Sequence, residues 1–470
     1  MKMARSMALA GLMAALPALA QAAELDGTQL GVAWAIPFAG LLLSIALMPL
    51  LLPSFWHHHF GKVTAAWALA FLLPLVATHG VGAAAANFLH ALLAEYVPFV
   101  ILLTALYVVA GGIYIRGSLT GTPALNTGIL AVGAVLASFM GTTGASMLLI
   151  RPLIRANAHR SRVVHIVVFF IFIVSNAGGS LTPLGAPPLF LGFLKGVDFS
   201  WTLLHIWPQA LFLIGCLLII FFVLDSWMLK NDDNRLPAQV SDEARQPLGF
   251  DGQLNFALLA VIVGLVLLSG MWKSSTSLDI AGTQVGLPGL VRDGGLIVVA
   301  LLSLALTPKQ VHASNQFGWG PMQEVAKLFA GIFLTIIPVI AMLKAGVDGP
   351  FGAIVRAVTH PDGTPNTAMY FWATGALSSF LDNAPTYLVF FNTAGGDPAV
   401  LMTALAPTLV AISAGAVFMG ANSYIGNAPN LMVKAIAEDR GVRMPSFFGY
   451  MLWSVGILLP LFVVMTWIWF

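Results

Sequence analysis

Ser175-Asn-Ala-Gly-Gly-Ser-Leu-Thr-Pro-Leu-Gly-Ala-Pro-Pro188 and Gly420-Ala-Asn-Ser-Tyr-Ile-Gly-Asn-Ala-Pro-Asn430 decide how this chain folds. Each is a polar, Gly- and Pro-rich interruption inside a stretch otherwise apolar enough to cross a bilayer. Gly179, Gly185 and Pro188 of the first answer Gly420, Gly426 and Pro429 of the second at a constant offset of 241 residues. The same offset carries Leu136-Ala-Ser-Phe139 onto Leu377-Ser-Ser-Phe380, and Ser138 and Ser379 each stand 41 positions before the first matched glycine. The chain reads as two related halves, each with a broken helix. That is the signature of a secondary transporter, whose binding site forms where the breaks of two repeats meet.

Composition agrees. Across 470 residues, 59% are hydrophobic and 9% charged, and the mean hydropathy is +0.90, which leaves too little polar surface for a soluble globule and marks an all-α polytopic membrane protein. A formal charge of +2 implies no nucleic-acid partner. Cys216 is the single cysteine, so no internal disulfide can form. Residues 1–23 carry Lys2 and Arg5, a short Ala/Leu/Met core and Ala20-Gln21-Ala22, and read as a cleavable signal peptide, with an uncut amino-terminal helix as the alternative.

Apolar runs of crossing length fall near 31–52, 62–79, 92–115, 205–229, 253–271, 293–308, 328–346 and 447–470, joined by the interrupted segments 163–195 and 404–436. Segments 124–150 and 365–394 are apolar on both sides of a polar tip, Gly141-Thr-Thr-Gly144 and Asp382-Asn-Ala-Pro385, and suit re-entrant hairpins. Each half then has five crossings, an odd number, so the repeat is inverted: 30–229 first, 253–470 second, with 230–252 as a cytoplasmic linker. Charge supports the orientation. With the mature amino terminus outside, as in a bacterial-type inner membrane, the cytoplasmic side receives Lys62, Arg116, Arg151, Arg155, Arg160, Arg162, Lys230, Arg235, Arg245, Lys309, Lys327, Lys434, Arg440 and Arg443. The outside receives only Lys195, Lys273, Arg292, Lys344 and Arg356.

The breaks and tips hold the candidate ligands. Freed carbonyls and side-chain oxygens suit a hard cation, and free N–H groups at a half-helix start suit an anion. The candidates are Ser138, Thr142, Thr143, Asn176, Gly179, Ser180, Thr182 and Gly185 in the first half, and Asp382, Asn383, Thr386, Gly420, Asn422, Ser423, Gly426, Asn427 and Asn430 in the second. Of these, Asp382, Asn383, Asn176 and Asn427 are the expected Na+ ligands. Asp382 is the sharpest, because an acid at bilayer depth costs roughly 2.5–3.5 kcal/mol and is a functional hypothesis by default; the blander role is to cap the helix that follows it. His57-His58-His59 reads as a short loop, and Glu95, Asp225, Asp293, Glu324 and Asp348 as interfacial anchors. No glycine run ends in Gly-Lys-Ser/Thr, and no enzyme motif is visible, so neither an ATP-driven pump nor an enzyme is expected.

Ser379-Phe-Leu-Asp-Asn-Ala-Pro-Thr386, with the two breaks, resembles the ion-transporter superfamily of NhaD-type sodium/proton antiporters, arsenite permeases and citrate or dicarboxylate transporters, from about residue 30 to the end. The resemblance implies alternating access, Na+ or H+ as coupling ion with no other cofactor, and a homodimer built from scaffold domains and mobile transport domains. The first tip lacks the acid that antiporter relatives tend to carry, and neither tip shows the Ser-Asn-Thr triplet of the dicarboxylate branch. No Lys or Arg lies in a tip or break to meet a trianion, whereas Asp382 offers a site where Na+ and H+ compete. The expected function is therefore Na+/H+ antiport, with Na+- or H+-coupled import of citrate or other di- or tricarboxylates as the alternative.

Overall fold

The structure is a computed structural model that describes residues 25–117, 119–232, 249–280 and 282–470. The expected signal peptide, and residues 233–248 of the expected linker, lie outside the described residues. In chain order the elements are α1 (Ile36–Leu51), α2 (Pro53–His90), α3 (Val97–Gly111), β1 (Tyr114–Arg116), α4 (Pro123–Ala156), α5 (Val164–Ile173), α6 (Pro187–Leu194) and α7 (Phe199–Lys230). They continue with β2 (Gly249–Asp251), α8 (Leu254–Met271), β3 (Ser277–Ile280), β4 (Thr283–Gly286), α9 (Leu287–Leu306), α10 (Lys309–Ser314), α11 (Gly320–Thr335), α12 (Ile337–Lys344) and α13 (Gly352–Ala357). Last come α14 (Thr367–Phe380), α15 (Asn383–Thr393), α16 (Pro398–Met402), α17 (Ala406–Met419), α18 (Ala428–Asp439) and α19 (Phe447–Trp469). Among the described residues, seven helical runs are long and apolar enough to cross a membrane, or eight if α11 and α12, bent by 41°, count as one. The protein is a multi-pass membrane protein.

Two details differ from the sequence reading. The spans expected at 62–79 and 92–115 are separate helices, but the second begins directly after Gly80 rather than near residue 92, because Ala83-Ala-Ala-Ala86 is strong helix-forming sequence. The two helices meet at a kink at Gly80, where φ is 83° and ψ 166°. His57, His58 and His59 accordingly stand on the first turns of α2 rather than in a loop, with Nδ1 of His58 against the Ser54 carbonyl at 2.8 Å.

The chain forms two compact units, each drawing on both halves of the sequence. The first comprises the chain up to Leu102 with Leu265–Gly295 and Trp319–Val355. Its core stacks Phe99 on Phe329, ring centres 4.5 Å apart, and Tyr96 donates its hydroxyl to the Ala326 carbonyl at 3.0 Å. The second unit comprises Leu103–Gly264, Leu296–Gly318 and Arg356–Phe470, and it contains α4, α14, α15 and both interrupted segments. Here α14 lies tightly on α17: a Cβ at Gly415 would sit 2.6 Å from the Phe371 carbonyl oxygen, so the contact requires glycine.

Candidate functional site

Within the second unit, both expected hairpin segments are broken where their polar tips fall. Helix α4 is interrupted at Gly141, with φ 78° and ψ 151°, a conformation that L side chains rarely adopt. The second tip needs no glycine, because Leu381 and Asp382 turn the chain with negative φ, −118° and −56°. Asp382 caps α15: its carboxylate accepts from the Ala384 N–H at 3.0 Å, and the Thr386 hydroxyl donates to the Asp382 carbonyl at 2.9 Å. Capping and ion binding are compatible uses of one carboxylate, since the cap occupies one lone pair.

The two interrupted segments have the same form. In the first, α5 ends at Ile173, a single turn covers Ala177–Ser180, and α6 restarts at Pro187; in the second, α17 ends at Met419, a turn covers Gly420–Asn422, and α18 restarts at Ala428. Hydroxyls tie the first break to α4 and the second to α14. Ser138 donates to the Gly178 carbonyl at 2.6 Å, and 241 residues on Ser379 donates to the Met419 carbonyl at 3.1 Å. Thr182 donates to the Ser138 carbonyl, and Ser423 to the Ser379 carbonyl at 2.5 Å. Thr182 and Ser423 then accept from the N–H of Leu184 and Ile425, each at 3.2 Å. The matched glycines pack backbone to backbone in both breaks: a Cβ at Gly179 would meet the Gly185 carbonyl oxygen at 2.8 Å, one at Gly426 the Gly420 carbonyl oxygen at 2.5 Å.

Three buried asparagines join one break to the other. Asn176 donates to Asn430 Oδ1 at 2.8 Å and to the Ile171 carbonyl at 2.8 Å. Asn427 donates to Asn176 Oδ1 at 3.1 Å and to the Ser175 carbonyl at 2.9 Å. Asn430 donates to the carbonyls of Gly420 and Ser423, both at 2.9 Å. Backbone groups left free by unwinding are thus taken up by amides, as an interior away from water demands. Asn176 and Asn427, expected as Na+ ligands, are engaged with each other, and the Asp382 carboxylate bonds to none of the three.

Elsewhere in the site two amides leave polar atoms without partners among the described residues. Asn383 is fully buried, and neither its Oδ1 nor its Nδ2 has a hydrogen-bond partner among the described residues. Asn422 donates to the Ser379 hydroxyl at 2.9 Å, but its Oδ1 is buried and unpartnered. Such groups are costly unless something else satisfies them. Of the remaining candidates, Thr142 is buried, with its N–H on the Gly185 carbonyl at 2.9 Å; Ser180 bonds the Ala177 carbonyl at 2.8 Å, and Thr143 is half-buried. Among the described residues no three His, Cys, Asp or Glu side chains cluster as metal ligands would.

Sequence reasoning misplaced Asp225. It is no interfacial anchor but fully buried in α7, accepting from Arg160 at 2.5 Å, His165 Nε2 at 2.8 Å and Asn126 at 2.9 Å. Its partners come from α4, α5 and the loop between them, which no local pattern reveals.

Residues 27–470 match the family described as "Putative citrate transport". The chain belongs to that family. The match spans every candidate residue, so the citrate-transport family membership applies to the whole two-break assembly rather than to one part of it. The family is one of transporters, not an enzyme class. No curated protein matches the chain.

Proposed function

We propose that this member of the citrate-transport family is a cation-coupled secondary transporter that moves citrate or a related di- or tricarboxylate by alternating access. The observation that carries the reading is the pairing of the asparagine-tied breaks with the unpartnered amide of Asn383. A carboxylate can take the Nδ2–H of Asn383 and the amide groups at the starts of α15 and α18, where helix dipoles favour an anion. The cationic partner that a trianion needs, absent from the tips and breaks as Lys or Arg, is supplied by co-transported Na+ or H+. Hydroxyl and amide oxygens, among them Asn383 and Asn422 Oδ1, and the Asp382 carboxylate are the ligands at hand. On this reading the matched latches reflect two inverted repeats, α4 and α14–α15 are re-entrant hairpins, and the second unit is the transport domain of a homodimer in an inner membrane, with the mature amino terminus outside.

Asp382 favours a second reading, Na+/H+ antiport, because it is the one acid at a hairpin tip. Proteoliposomes carrying labelled citrate and a pH dye, with and without a Na+ gradient, separate the two. Na+- or H+-driven citrate uptake is expected; proton movement driven by Na+ with no citrate uptake establishes the antiporter instead.

A further inference from the structure

Outside both breaks, the second unit holds a polar pocket of about 570 Å³. It opens where four helical runs stop or start: α3 ends at Gly111, α4 at Ala156 and α9 at Leu306, and α8 begins at Leu254. Its walls are fixed. Strands β1 and β2 pair Tyr114 with Asp251 and Arg116 with Gly249. Asn255 donates to the Gly112 carbonyl and to Thr307 Oγ1, both at 2.9 Å, and Asn315 ties the chain after α10 to the Gly111 and Ile113 carbonyls at 2.8 and 2.7 Å.

Charge in this pocket is unbalanced. Arg155 donates to the Tyr114 hydroxyl at 2.7 Å and to the Ile115 carbonyl at 2.8 Å, while its buried Nε has no acceptor among the described residues. Its bonds go to neutral groups. Arg116 stands 3.5 Å from Asp251, and both side chains are substantially exposed, 50% and 40%. Among the described residues two guanidinia therefore face one carboxylate. A planar guanidinium matches an oxyanion with parallel N–H bonds, and the surplus of one cation suits a singly charged group better than a trianion. The position selects further: apolar helices end at the depth of the bilayer's phosphates, and basic pockets between such helix ends receive anionic headgroups. Gln310 and Ser314, also lining the pocket, offer bonds to headgroup hydroxyls.

We propose that this pocket binds the phosphodiester of an anionic phospholipid, with Arg155 and Arg116 on the phosphate. The test titrates the purified full chain in detergent with short-chain phosphatidylglycerol, short-chain phosphatidylcholine and inorganic phosphate, reading thermal unfolding and lipid adducts by native mass spectrometry. Phosphatidylglycerol should bind saturably and phosphatidylcholine should not. Arg155→Gln and the exposed Arg116→Gln should each weaken binding about tenfold, the size of a charge-assisted hydrogen bond; Arg116→Gln serves if Arg155→Gln fails to fold. Saturation by inorganic phosphate alone, lost in the same variants, overturns the lipid assignment. No saturable binding of phosphatidylglycerol, or binding untouched by Arg116→Gln, overturns the site.

Discussion

Replacing Asn383 with Leu separates a ligand-binding amide from a structural one. Asn383 is fully buried and its side-chain oxygen and nitrogen meet no partner among the described residues. An unsatisfied buried amide costs about 1–3 kcal/mol, and leucine has a similar branched shape without the polar atoms. Without substrate, the variant should therefore unfold at the same temperature as the wild type or a higher one. With substrate the balance reverses, because a hydrogen bond to a carboxylate is worth about 1.5–3 kcal/mol. Losing it should raise the KM for citrate uptake about 10- to 100-fold. Unfolding of detergent-solubilised protein followed by tryptophan fluorescence, with and without citrate and Na+, gives the first quantity; uptake into proteoliposomes gives the second. A variant that is less stable by about 2 kcal/mol yet transports with unchanged KM would refute the reasoning, since it would show that a protein group already satisfies the amide.

Asn430→Ala should behave oppositely: it removes three bonds between and within the breaks, each worth about 0.6 kcal/mol in a membrane protein, so the unfolding midpoint should fall and transport should be lost at every substrate concentration. Asp382→Asn keeps a good cap and Asp382→Ala does not, so only the alanine should cost stability, about 1 kcal/mol, whereas both should abolish Na+-dependent transport; coupling that survives in both, measured in proteoliposomes, would leave Asp382 as a cap. Arg160→Gln leaves the Asp225 carboxylate only His165 and Asn126 as partners and should destabilise by about 3 kcal/mol, with much of the loss recovered in the double variant Arg160→Gln/Asp225→Asn; equal losses in thermal unfolding would contradict that pairing. A cysteine in the Lys230–Asp251 linker should resist impermeant thiol reagents in right-side-out vesicles, and one near Gly363 should react; the reverse labelling would invert the topology.

How much of this was legible in the sequence follows from the range of the interactions involved. The breaks were readable because glycine and proline act on their own backbone: Gly141 at φ 78° and the restarts at Pro187 and after Asn427 are local facts. The Asn176–Asn427–Asn430 joint could be listed by residue type but not by pairing, since its partners lie more than 250 residues apart. Asp225 misled for the same reason, its burial being set by Arg160 and His165 from other segments. At Val81–His90 the difference was only of bounds: helix propensity, carried by the alanines, extends the second helix back to Gly80.

The match between the halves is itself selective, and the selection bears on function. The hydroxyl latches recur at the offset of 241: Ser138 with Ser379, and Thr182 with Ser423, each holding the same carbonyl in its own half. The amides do not recur. The positions matching Asn176, Asn427, Asn430 and Asn383 are Val417, Ala186, Leu189 and Thr142, and Asp382 matches Gly141. What recurs at this offset therefore holds a broken helix against α4 or α14, a demand that unwound backbone imposes whatever the cargo. What only one half has is a set of amides and one acid at the tip and the joint, where a ligand would be met. A polar group in an apolar interior is retained at a cost, so on the proposed function its unequal placement predicts that substitutions in the second half weaken transport more than those in the first. Replacing Asp382-Asn383 with Gly-Thr, the residues of the first tip, should thus preserve folding, since glycine at the cap position costs only about a few tenths of a kcal/mol, and remove transport; transport at the wild-type rate would show that the latches, not the tip, define the site.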